Sequence, residues 1–118
     1  MKRFVLFFAL AVGLLASAST IQAQTVNMSR YITLTVTNGA AIKLDFWAAS
    51  AGTPVRIISG SNTQDITVGT DWYGSANYTA GSTTMTIYGD LIGFACEHNR
   101  ANLTALDVSK NTQLKMLA

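Results

Sequence analysis

Cysteine, proline and histidine each occur once in these 118 residues, and charged side chains make up only 12% of them. The lone Cys96 excludes an internal disulfide framework and any zinc site built on cysteine pairs. With one histidine, His98, and no ligand spacing around it, the chain offers no catalytic constellation and no metal or cofactor site. The charged share is about half the usual 25% or so, and its small surplus is local. Lys2 and Arg3 account for 2 of the 8 basic residues; without them 6 basic residues face 6 acidic ones, and the formal charge falls from +2 to 0. A neutral chain has no electrostatic footprint for nucleic acid or an anionic membrane. Val, Ile, Leu, Phe, Trp and Tyr recur throughout, which argues against disorder.

One long apolar run exists, at the start. Behind Lys2 and Arg3, Phe4 to Ala16 is uncharged and mostly apolar, and small and polar residues follow up to Ile21-Gln22-Ala23. Residues 1–23 therefore read as a secretory signal peptide, with Ala16-Ser17-Ala18 as a second cleavage signal. The run is shorter than the roughly 20 residues a spanning helix needs. The expected product is secreted or held at the cell surface, with no transmembrane segment once the leader is removed.

From residue 24 to residue 90 the period is two. Ile32, Leu34 and Val36 alternate with Thr33, Thr35 and Thr37; Ile42, Leu44 and Phe46 alternate with Lys43, Asp45 and Trp47. Both patterns are those of half-buried strands, and Asn38-Gly39 between them predicts a hairpin. Val55 to Ile58, Ile66 to Val68 and Thr84 to Tyr88 read as further strands, while the glycines at 69, 74 and 81 mark a loop-rich stretch. The expectation is a mainly β fold: a small antiparallel sandwich-like cap of five or so strands. Trp47, Trp72 and Tyr73 are candidate ligand-stacking aromatics. In a domain this small they also serve as packing area, and the packing reading comes first.

Residues 91–118 carry the most specific signal. Leu91-Ile92-Gly93-Phe94-Ala95-Cys96-Glu97-His98-Asn99 fits L-x-x-L-x-C-x-x-N, the strand half of a leucine-rich repeat, with Phe at the second apolar position. Leu103, Leu106 and Val108 suit the return path, and the pattern restarts at Leu114. The pairs Leu91/Leu114, Phe94/Leu117 and Ala95/Ala118 share one offset of 23 positions, inside the range of this repeat class. Apolar side chains at the first, fourth and sixth positions would stack between coils. Asn99 would turn inward to satisfy backbone groups at the bend, and Thr104, Asp107 and Ser109 would make local turn bonds.

Leu103-Thr104-Ala105-Leu106-Asp107-Val108-Ser109-Lys110-Asn111-Thr112-Gln113-Leu114 resembles the L-T-x-L-D-V-S-x-N-T-x-L signature of bacterial secreted leucine-rich-repeat proteins, the internalin-like group with cysteine ladders and repeats of about 21 residues. The resemblance implies scaffold roles for Leu91, Phe94, Cys96, Asn99, Leu103, Leu106, Val108, Leu114 and Leu117, and it implies no catalytic residue. It further implies a non-enzymatic recognition or adhesion protein whose array binds protein or glycan partners at a cell surface. Arg100-Ala101-Asn102 exceeds the family spacing by two residues and accounts for 23 in place of 21. On this reading the chain is the N-terminal fragment of a longer protein, and residues 24–90 shield the open end of the solenoid. The strand Met85 to Tyr88 is expected beside the first repeat strand.

Other readings are a carbohydrate-binding β module using Trp47, Trp72 and Tyr73, and the N-terminal part of a secreted hydrolase. The pair Cys96 and His98 lacks a third ligand or an orienting carboxylate. Asp45, Asp65 and Asp71 have no spacing that fixes them as a pair.

Overall fold

The computed structural model describes residues 25–118, except the side chains of residues 73–75; the leader at 1–23 and the side chain of Tyr73 lie outside the described residues. Nine strands follow in chain order: β1 (Tyr31–Val36), β2 (Ala41–Ala48), β3 (Thr53–Ser59), β4 (Asn62–Val68), β5 (Tyr73–Thr79), β6 (Thr84–Tyr88), β7 (Leu91–Ala95), β8 (Leu103–Asp107) and β9 (Met116–Leu117). A 3₁₀ turn, Arg100–Asn102, precedes β8. They form a five-stranded sheet in the order β4-β3-β6-β1-β8 and a four-stranded sheet in the order β5-β2-β7-β9.

Alternation in the sequence decides which side chains enter the layer between the sheets. Ile32, Leu34, Ile42, Leu44, Phe46, Val55, Val68, Met85, Ile87, Leu91 and Phe94 are fully buried there. Each such side chain is worth roughly 1.5–3 kcal/mol. Phe46 is central, with ring centroids 5.9 Å from Tyr78 and 5.8 Å from Phe94.

The connections hold the main departure from the sequence reading. Only β3 and β4 are joined within one sheet; every other described connection carries the chain across to the opposite sheet. Asn38-Gly39 is thus an arch, not a hairpin: β1 pairs with β6 and β8, and β2 with β5 and β7. Gly39, at φ 89°, donates its N–H to Ala80 O at 2.8 Å, and Ala80 N–H bonds Ala40 O at 2.9 Å. These contacts to a distant turn hold the arch open, which local turn chemistry could not disclose.

Two further expectations are corrected. The stretch around Gly74 contains the strand β5, which pairs antiparallel with β2. Its small polar residues hide it, because an edge strand needs backbone partners more than an apolar face. And β6 lies between β3 and β1, away from β7. Gly89, at φ 141°, turns the chain out of one sheet so that Leu91 starts in the other. A Cβ at Gly89 would press on the Pro54 carbonyl and Val55, so backbone conformation and close approach both call for glycine.

Candidate functional site

Two features lie on the four-stranded sheet: a tryptophan platform on its outer face and an uncovered edge at β9. Both begin with the pairing of β7. Trp47 pairs with Gly93, and the next pair is Ala48 with Leu91, so Ile92 is bulged out between them. The bulge explains L-x-x-L. A spacing of three would put Leu91 and Phe94 on opposite faces of a regular strand, whereas the extra residue lets both point into the core, where neither is exposed.

Gly93 faces outward beneath Trp47. A Cβ there would overlap Nε1 and Cδ1 of the indole, so the ring lies directly on the glycine backbone. Trp72, from the segment just before β5, covers the other face of that ring: the centroids are 5.3 Å apart and the planes 7° from parallel. Trp47 is half-buried and Trp72 is 40% exposed. One indole is therefore clamped in place and the second offers its outer face to a ligand. Among the described residues Trp47 Nε1 is buried without a hydrogen-bond partner, which leaves packing as the force that holds the ring. Met116, 46% exposed, lies in register with Gly93 on the far side and extends the apolar strip.

At the edge, β9 pairs parallel to β7, with Gly93 opposite Met116 and Phe94 opposite Leu117. Each pair is 23 positions apart, the offset found in the sequence. Lys115 N–H donates to Ile92 O at 2.8 Å, Ala118 N–H to Phe94 O at 3.0 Å and Cys96 N–H to Ala118 O at 2.9 Å. Leu117 shares the core-facing side with Phe94, yet it is 47% exposed, because no strand lies beyond β9 among the described residues.

Two buried asparagines brace the corners. Asn99 accepts from Lys43 N–H at 2.7 Å and donates to Lys43 O at 2.8 Å and Cys96 O at 3.0 Å, tying the bend after β7 to the middle of β2. Asn111 donates to Leu91 O at 3.2 Å and accepts from Gln113 N–H at 3.3 Å. It was not singled out in the sequence; its burial beside a fixed Asn-Thr-x-Leu run was the available signal. Leu103, Leu106, Val108 and Leu114 are partly buried against the core, and β8 pairs with β1. Arg100, at φ 48°, opens the 3₁₀ turn that takes up the extra residues after Asn99.

Among the titratable groups, burial and then the neighbouring Glu97 push the Cys96 thiol up, so it is a packing group more than a nucleophile. Hydrogen bonds from Ser109, side chain first and then backbone, hold the Asp107 carboxyl below its usual range. The Arg56 guanidinium does the same for Asp65. His98 and Glu97 form an exposed pair at 3.5 Å. No group of three or more His, Cys, Asp or Glu side chains that could hold a metal ion occurs among the described residues. No helix among them is long and apolar enough to cross a membrane. Comparison with protein-family models, with curated proteins and with solved structures finds no match to this chain.

Proposed function

We propose that this chain is the capping end of an exported, non-enzymatic recognition protein built on leucine-rich coils, of the internalin-like kind its signature resembles. The outer face of the β2-β7-β9 sheet meets a protein or glycan partner at a cell surface. One observation carries the reading: β7 and β9 pair in parallel at the same 23-residue offset that relates their sequences. Between them the chain travels through the opposite sheet as β8, which makes one full winding. Asn99 and Asn111 fill two corners of that winding, and half-exposed Leu117 is the kind of surface a following coil would cover. The apolar leader supports export.

The reading is tested by extending the chain after Ala118 with three coils of the L-T-x-L-D-V-S-x-N-T-x-L pattern. The expected result is a single cooperative unfolding transition at higher temperature. Separate melting of the added coils would overturn it.

A second reading, a carbohydrate-binding β module, is favoured by the clamped Trp47 and exposed Trp72. Indole faces stack on the C–H face of a sugar ring. A glycan array probed with the native chain and with Trp72→Ala distinguishes the two: loss of glycan signal in the variant supports the module.

A further inference from the structure

On the side of the sandwich away from β9, the edge strands β4 and β5 diverge and a cleft of about 310 Å³ opens between them. Its chemistry follows from the register of β4. Val68, Ile66, Gln64 and Asn62 lie opposite Thr53, Val55, Ile57 and Ser59 and share their inward face. Along that face burial falls from complete at Val68, through Ile66, to exposed at Gln64 and Asn62. An apolar core stripe thus becomes an amide stripe where the sheets part. The β5 side contributes Asn77, Thr79 and the buried ring of Tyr78.

One end of the cleft is rigid. Asn62 Nδ2 donates to Thr79 O at 3.0 Å, bridging the two edges. Ser59 Oγ donates to Thr84 O at 2.7 Å and accepts Gly81 N–H at 3.0 Å. Gly60 and Gly81 pack backbone to backbone, and a Cβ on either would overlap the other turn. By contrast, the amides of Gln64 and Asn77 make no side-chain hydrogen bond among the described residues.

No ionised side chain lines this cleft. Phosphates and carboxylates would need Arg or Lys, and cations would need carboxylates; neither is present in the lining. Amides offer a donor and an acceptor together, which is what adjacent sugar hydroxyls require. Tyr78 and Ile57 supply apolar walls for C–H groups. The volume lies at the lower end of small-molecule sites, which run from roughly 300 to 1,000 Å³. We infer that the β4–β5 cleft binds a short neutral saccharide, with Gln64 and Asn77 as its hydroxyl-binding residues. The inference is independent of the coil-capping proposal, since it needs only the two-sheet fold.

The test is an amide-resolved NMR titration of the whole chain with cellobiose, maltose and N,N′-diacetylchitobiose, and with digalacturonic acid as a charged control. Saturable shifts at Asn62, Gln64 and Asn77 are expected with at least one neutral disaccharide and none with the acid. The double variant Gln64→Ala/Asn77→Ala should weaken that binding by about tenfold or more, as loss of one or two hydrogen bonds implies. Trp72→Ala should leave it unchanged. Both substituted residues are exposed, so an unchanged melting temperature verifies the fold of the variant. The inference is overturned if no neutral disaccharide gives saturable shifts. It is overturned equally if binding survives the double variant or disappears with Trp72→Ala.

Discussion

At the scale of single residues, small and amide side chains do what their size and hydrogen bonding allow no neighbour to replace. Gly93 is required by space, since its missing Cβ is where the Trp47 ring rests. Gly93→Ala is expected to tilt Trp47 off the sheet and break its stack on Trp72. It should change the near-ultraviolet dichroism of the indoles and cost roughly 1–3 kcal/mol, as overpacking usually does. An unchanged indole spectrum would contradict this account of the platform. Asn99 makes three hydrogen bonds to backbone groups of Lys43 and Cys96. At about 1 kcal/mol each, Asn99→Ala should lower unfolding free energy by about 3 kcal/mol in a denaturant titration. Asn99→Asp should recover only part of this, because a carboxylate accepts the Lys43 N–H but cannot donate to the two carbonyls.

At the scale of elements, the decisive contrast is between β7 and β9. β7 lies between β2 and β9 with Leu91 and Phe94 wholly buried, whereas β9 has two residues, both about half exposed, and one neighbour. Local opening of β9 therefore exposes little apolar surface and breaks few bonds. Hydrogen exchange is expected to show Lys115 and Ala118 amides exchanging well before those of β2 and β7. Equal protection of these sets in a monomer would mean that something covers the β9 edge. Phe94→Ala, in contrast, removes a ring from the centre of the core. It should cost about 3–5 kcal/mol in the same denaturant measurement.

At the scale of the whole molecule, opposite charges nearly balance and the stability profile is set by a few carboxylates. Asp65 and Asp107 both titrate below the usual range in the folded chain, through hydrogen bonds from Arg56 and from Ser109. A lowered folded-state value means that their contribution is complete above the unfolded value, about 3.9. It is lost as pH falls through the lower folded value. The melting temperature is therefore expected to decline on acidification below about pH 4, and the double variant Asp65→Asn/Asp107→Asn should decline less steeply. Both carboxylates face water, so the difference is a modest one. Identical acid limbs would remove these two groups from the account.

The sequence by itself determined the strands and much of the core, because a period of two assigns faces without knowledge of partners: Ile32, Leu34, Ile42, Leu44 and Phe46 are buried as alternation dictates. It also determined the 23-residue offset that the β7–β9 pair realises, and the inward turn of Asn99. Only the tertiary structure decided where the connections go. Asn38-Gly39 permits a hairpin or an arch equally, and the distant Ala80 selects the arch. The bulge at Ile92, the strand through the small residues of β5 and the amide-lined cleft beside it belong to the same class. Each depends on backbone partners far along the chain, and side-chain periodicity carries no record of which strand a backbone will meet.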